Sequence, residues 1–185
     1  LIANTVGFHI DQDPAPILVV QPREADAKKF SKVRLAPMIR DTPCLKGKVR
    51  EPKTKDSNNT ILEKSYPGGR LILGGANSPA NLAGDPIRIV LLDEVDRFPA
   101  SAGTEGDPVE LAEARTATFS NRKIVLTSTP TEEETSRIAK AYEDSDQRVY
   151  LVPCPHCGES QQLVWGQVQW ERDEEGNHLT DTAAY

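Results

Sequence analysis

Two adjacent carboxylates, Asp93 and Glu94, close the run Ile87-Arg88-Ile89-Val90-Leu91-Leu92. Such a pair suits nucleotide hydrolysis. One carboxylate holds Mg²⁺, usually through water, and its neighbour polarises the water that attacks the γ-phosphate. A second run, Lys123-Ile124-Val125-Leu126, ends in the hydroxyls of Thr127, Ser128 and Thr129. Hydroxyls within reach of a γ-phosphate can sense its loss and pass that change to a moving element. A third group, Cys154-Pro155-His156-Cys157-Gly158, has the spacing of half a zinc ribbon or knuckle. Each group alone is ordinary, since strands commonly end in acidic residues or turns and thiols are often idle. It is the order of the first two along the chain that carries information.

Positioning those groups requires strands and crossovers. The run before Asp93 is apolar at nearly every position, which suits a strand buried on both faces of a parallel sheet. Asp93 and Glu94 then stand at its carboxyl end, where open α/β sheets bind ligands. Ile2, Val6 and Ile10 are spaced as one helical face, and Ile17–Gln21 reads as a short apolar strand stopped by Pro22. A helix is expected from Arg23 to about Leu35, ending near Pro37, with Ala27, Phe30 and Val33 turned inward. Arg70–Gly75 reads as a strand closing in glycines, and 78–84 as a short helix capped by Ser78 and stopped by Gly84. Asp107-Pro108-Val109-Glu110 opens another helix, expected to run through Ala112, Thr116 and Phe119 to the second buried strand. A further helix over Ser136–Tyr142, with Ile138, Ala139 and Tyr142 inward, and a strand over Val149–Val152 complete the series. Right-handed crossovers bring the ends of the two apolar strands to one edge of one sheet.

Composition narrows the class. The 185 residues carry a net charge of -6, with 37% hydrophobic and 27% charged residues, an ordinary globular balance. No apolar run is long enough to span a bilayer, so no membrane association is expected. The acidic balance leaves any nucleic-acid contact to local patches. The basic cluster Lys46, Lys48, Arg50, Lys53 and Lys55 is one such patch, or else a solvated loop. Three cysteines make no disulfide framework and fit a reducing compartment.

Four segments in this order, Val19-Val20-Gln21-Pro22, Gly75 to Ala83, Leu91 to Pro99 and Leu126 to Thr131, resemble the large terminase subunit of lambda-type tailed phages. The resemblance covers essentially the whole chain. It implies a RecA-like P-loop NTPase fold of the ASCE type over residues 1–150, with a mostly parallel sheet flanked by helices. Residues 151–185 would form a β-hairpin, zinc-knuckle-like extension. It implies a DNA-packaging motor acting in the host cytoplasm and using ATP and Mg²⁺. Its partners would be double-stranded DNA, a small terminase subunit, the portal and procapsid, and further copies in a ring. The full-length protein would also be an endonuclease. Within it Asp93 would be the Walker B magnesium ligand, Glu94 the catalytic carboxylate, Gln21 a nucleotide-site residue, and Thr127, Ser128 and Thr129 the coupling motif. Cys154 and Cys157 would supply half of a Zn²⁺ site, with Cys44 and His178 as remote candidates for the other ligands. Arg97 and Arg115 are candidates for the arginine that completes the nucleotide site.

The sequence departs from the family at one place. No Gly-x-x-x-x-Gly-Lys-Ser/Thr phosphate loop occurs in it. The expectation is an internal fragment that starts just after that loop and hydrolyses ATP only at background rate by itself. A helicase core of related ancestry shares the same strand ends, and a non-catalytic prophage remnant is the non-enzymatic alternative.

Overall fold

The computed structural model describes residues 1–49, 59–132 and 135–185. Arg50, Lys53 and Lys55 of the basic cluster lie outside the described residues. The chain divides into two compact units, Leu1–Ala141 and Tyr142–Tyr185. The division falls inside a helix, earlier than position 150.

The first unit is built on five strands: β1 (Ile17–Gln21), β2 (Glu63–Tyr66), β3 (Gly69–Gly75), β4 (Ile89–Asp93) and β5 (Lys123–Thr127). They lie in the order β2-β3-β1-β4-β5. The pairs β3·β1, β1·β4 and β4·β5 are parallel, and β2 returns antiparallel on β3. Helices α1 (Ile2–Asp11), α2 (Glu24–Phe30), α3 (Ala36–Asp41), α4 (Pro79–Leu82), α5 (Pro108–Ala114) and α6 (Arg137–Glu143) connect or flank the strands.

The unbroken apolar runs follow from burial on both sides. Ile17, Val19, Leu71, Leu73, Ile89 and Leu91 pack with Val6 and Ile10 of α1, Ala27 of α2 and Ile39 of α3. Leu18, Val20, Val90 and Leu92 pack on the opposite face with Leu82 of α4 and Ala112 of α5. All five residues of β1 and the first four of β4 are buried. An alternating strand would have left one face to water.

Several expectations from the sequence are corrected. The helix after β1 does not stop near Pro37. It passes through a π-helical stretch, Ser31–Leu35, into α3, which ends at Asp41. Pro37 has no N–H to donate back along the helix, and a widened π turn absorbs that loss and the ring's bulk. Val33 is consequently 58% exposed rather than inward. Helix α5 ends at Ala114, so Thr116 and Phe119 lie in the turns beyond it. Strand β5 was expected to be buried, yet Ile124, Val125, Leu126 and Thr127 are only half-buried. It is the outermost strand of the sheet as described, and one side of it is uncovered. Tyr142 is exposed, and no strand forms over 149–151.

The second unit is small and β-rich: β6 (Val152–Pro153) pairs with β7 (Ser160–Gln161), and β8 (Gln169–Arg172) with β9 (His178–Ala184). Tyr150, Leu151, Leu163, Val164 and Trp165 are all exposed in it.

Candidate functional site

Register assembles the site. Val20 lies beside Leu92, and Asp93 beside Thr127, so Gln21, Asp93 and Thr127 stand at one level on three neighbouring parallel strands. Their immediate predecessors Val20, Leu92 and Leu126 all turn to the α4–α5 face. Side chains alternate along a strand, so these three turn to the opposite face together. The Gln21 amide donates to Asp93 Oδ2 at 2.8 Å, and the Thr127 hydroxyl to Asp93 Oδ1 at 2.7 Å. Gln21 is buried at 6% exposure, which fixes its amide where Asp93 needs a donor. Gly75 completes this strand level beside Gln21. A Cβ there would lie 2.4 Å from the Glu24 nitrogen, so only glycine lets α2 start this close to β3.

Both donors to Asp93 are neutral. A carboxylate held this way is oriented without being neutralised, and keeps lone pairs for a hydrated cation. The residues present therefore fit a water-mediated Mg²⁺ at Asp93. They do not provide the amide-lined loop that would cradle the β- and γ-phosphates.

Glu94 takes the left-handed conformation, φ 60° and ψ 47°. A non-glycine residue pays on the order of 1–3 kcal/mol for such a backbone, and residues of this kind cluster at active sites. The turn swings the Glu94 carboxylate off the strand line. Its Oε2 is buried without a hydrogen bond among the described residues, and Arg97 Nε stands 3.4 Å away as an ion-pair partner. At 3.4 Å the pair is electrostatic rather than directional. A cleft of about 630 Å³ opens here, with Gln21, Asp93, Glu94 and Arg97 joined by Arg23 and Lys29.

The other expected residues are placed as follows. Ser128 does not reach Asp93. Its Oγ accepts the Asp96 N–H at 3.2 Å and donates to the Thr129 carbonyl at 3.2 Å. Thr129 contributes only that carbonyl to the hydrogen bonds described. Arg115 is committed elsewhere, donating to the Asp85 and Asn81 carbonyls at 3.0 Å each. Lys48 pairs with Asp11, and Lys46 is exposed.

Asp96 and Arg137 were missed in the sequence. Burial pushes the Asp96 carboxyl up, but the Ser136 hydroxyl and the N–H groups of Ile138 and Thr131 more than offset this and hold it below the usual range. Arg137 donates to the Val95, Phe98 and Pro99 carbonyls at 2.9–3.3 Å, and to Asp107 at 2.9 Å. The only available signal was a third acid, Asp96, close behind the first two.

In the second unit the cysteine turn closes locally. The Cys154 N–H donates to the Glu159 carbonyl at 2.8 Å, and the Gly158 N–H to the Cys154 carbonyl at 2.9 Å, with Gly158 at φ +77°. Backbone N–H groups of Cys157 and His156, then the Cys157 side chain, lower the Cys154 thiol below its usual value. Cys157 is exposed, and His178 is engaged with Trp170. Cys44 interacts with Asp11. Among the described residues no three His, Cys, Asp or Glu side chains gather as a metal site. None of the described helices is long and apolar enough to cross a membrane.

Known proteins are similar to this chain in sequence and in fold. The chain is 29% identical over 182 residues to the terminase large subunit of Enterobacteria phage P21, covering 94% of this chain and 28% of that protein. It is 29% identical over 169 residues to the terminase large subunit of Escherichia phage lambda, covering 90% and 26%. The chain thus spans about a quarter of the length of these curated relatives. The large terminase ATPase domain of Thermus phage P74-26 shares the fold, with a TM-score of 0.54 over 88% of this chain and 66% of that one, at 14% identity. The family model for the phage terminase large subunit gpA, ATPase domain, matches residues 1–185, and the chain belongs to that family.

Proposed function

We propose that this chain is the hydrolytic part of an ATP-driven motor that packages double-stranded viral DNA into procapsids. The observation that carries the proposal is Asp93, held through both oxygens by neutral donors from the flanking strands, with Glu94 strained beside it. Bound Mg²⁺ would neutralise phosphate charge. Asp93 would hold its water shell, and Gln21 and Thr127 would keep that carboxylate from turning. Glu94, on its left-handed turn, would orient the attacking water and accept its proton. Thr127 joins β5 to the same carboxylate and serves as the sensing hydroxyl, with Ser128 and Thr129 following it. Family membership favours this reading over a helicase core.

The phosphate-binding loop would come from residues outside these 185, and the chain alone would turn over ATP at background rate. Measured turnover by the isolated chain that disappears in Glu94→Gln would overturn that part. For the intact protein, loss of ATPase activity in Glu94→Gln with nucleotide binding retained is the expected result. Unchanged turnover would reject the assignment of Glu94.

The partners would be the DNA, a small terminase subunit, the portal of the procapsid and further copies in a ring, in the host cytoplasm. A nuclease activity would reside elsewhere in the intact protein. The Cys154–Cys157 turn would be half of a structural Zn²⁺ site completed by residues beyond it. The local closure of the turn and the lowered Cys154 thiol support that reading. Metal analysis of a chain extended past Tyr185 tests it, with stoichiometric zinc expected and its absence fatal to the proposal.

A further inference from the structure

The turn that follows the carboxylate pair is tied to distant chain by two charged side chains. Asp96 Oδ1 accepts the Ile138 N–H at 2.9 Å. Its Oδ2 accepts the Thr131 N–H at 3.1 Å and the Thr131 hydroxyl at 3.5 Å. The Asp96 N–H donates to Ser128 Oγ at 3.2 Å. One residue thereby makes three hydrogen bonds to the loop after β5, at Ser128 and Thr131, and one to the first turn of α6.

Arg137 works in the opposite direction, from α6 back to the turn. Its guanidinium covers the carbonyls of Val95 at 3.3 Å, Phe98 at 3.0 Å and Pro99 at 2.9 Å. It also reaches Asp107 Oδ2 at 2.9 Å. Asp107 Oδ1 in turn caps α5 by accepting the Val109 N–H at 2.7 Å. Charged groups with several directional partners move as one body with those partners, because slipping any one bond leaves a charge poorly satisfied.

Asp96 lies two residues after Glu94, inside the 3-10 turn Val95–Arg97. Glu94 holds a left-handed backbone, so relaxing it toward an ordinary conformation rotates everything that follows. Asp96 and Arg137 would turn with it, and α6 with them. We propose that Asp96 and Arg137 are positioning residues that transmit rearrangement of the Glu94 turn to helix α6, a second route beside Thr127. The proposal rests on the ATPase reading and adds to it the path by which the site moves another element.

Hydrogen exchange of the α6 amides in the intact protein tests it, with and without a non-hydrolysable ATP analogue and Mg²⁺. Asp96→Asn removes one acceptor oxygen, and Arg137→Lys removes the planar fork while keeping the charge. In the parent, nucleotide is expected to shift protection at Ile138–Ala141. In either variant that shift is expected to be lost, with analogue affinity within about threefold of the parent. A merely structural role would change protection equally in both states and leave the difference intact, which overturns the proposal. So would a parent whose α6 does not respond although the analogue binds. A parent that binds no analogue fails the underlying ATPase reading instead, and the two failures are told apart by the affinity measurement.

Discussion

The end of β4 and the Cys154–Cys157 turn are both places where two potential ligands stand close together in sequence. They are supported in opposite ways. Asp93 is held by side chains 72 and 34 residues away, on strands to either side. Cys154 is held by backbone bonds to Gly158 and Glu159, within its own turn. Long-range support means that the carboxylate geometry exists only when the sheet is folded. Local support means that the thiol turn keeps its shape without side chains from distant parts of the chain. Under the proposed function the first arrangement would be pre-organised for chemistry, and the second for capture of an ion with ligands from elsewhere.

The largest effect that separates the two belongs to Glu94→Gln. ATP turnover by the intact protein is expected to fall by about 10²–10⁴-fold, the scale of lost general base catalysis, whereas Cys157→Ser leaves turnover unchanged; a steady-state phosphate-release assay reads both. Next comes the scaffold. Leu91 is fully buried beneath the site, and Leu91→Ala should cost about 2–5 kcal/mol in urea unfolding. Trp165 in the second unit is 77% exposed, and Trp165→Ala should stay within about 0.5 kcal/mol. Equal losses would erase the contrast between the units. Asp107→Ala removes a cap and an Arg137 partner together, and should cost about 1–2 kcal/mol on the same assay.

Much of this was legible from residue types. β1 and β4 were readable because burial on both faces leaves no polar position, and Asp107-Pro108 because the cap and ring chemistry is local. That hydroxyls would stand beside Asp93 followed from the parallel crossover, but the sequence did not tell that Gln21 would bond Asp93 or that Ser128 would turn to Asp96. Side-chain direction at the last residues of a strand depends on register, and register is set by partners far along the chain. Arg137 was unreadable for the same reason: its carbonyl partners have no side-chain signature. β5 misled because its apolar run is identical in kind to β4, and only its place at the end of the strand order separates them.

Two smaller effects depend on pH. His9 is buried between Asp13, Arg88 and Lys123, and burial first, then the neighbouring cations, lower its pKa from 6.5 against the raising influence of Asp13. A histidine with a depressed folded pKa stabilises the fold above its unfolded value, and that contribution fades as pH falls from 6.5 toward the folded pKa. Urea midpoints of the chain should therefore decline on acidification through this window, and His9→Asn should flatten the decline. In the second unit, alkylation of Cys154 followed by mass spectrometry should show its inflection below the usual thiol value. An unshifted inflection would mean that the turn does not hold its N–H groups toward the sulfur.

Strand β5 has a consequence for handling the molecule. Among the described residues no strand pairs with its outer edge, which presents the backbone of an apolar stretch, Ile124-Val125-Leu126, with a single leading charge at Lys123. Unsatisfied strand edges of this kind recruit other strands, including those of neighbouring molecules. Preparations of this chain should therefore self-associate with rising concentration, and a charge introduced at Val125 should suppress that association. Light scattering across a dilution series would expose the same half-covered strand as a colloidal property.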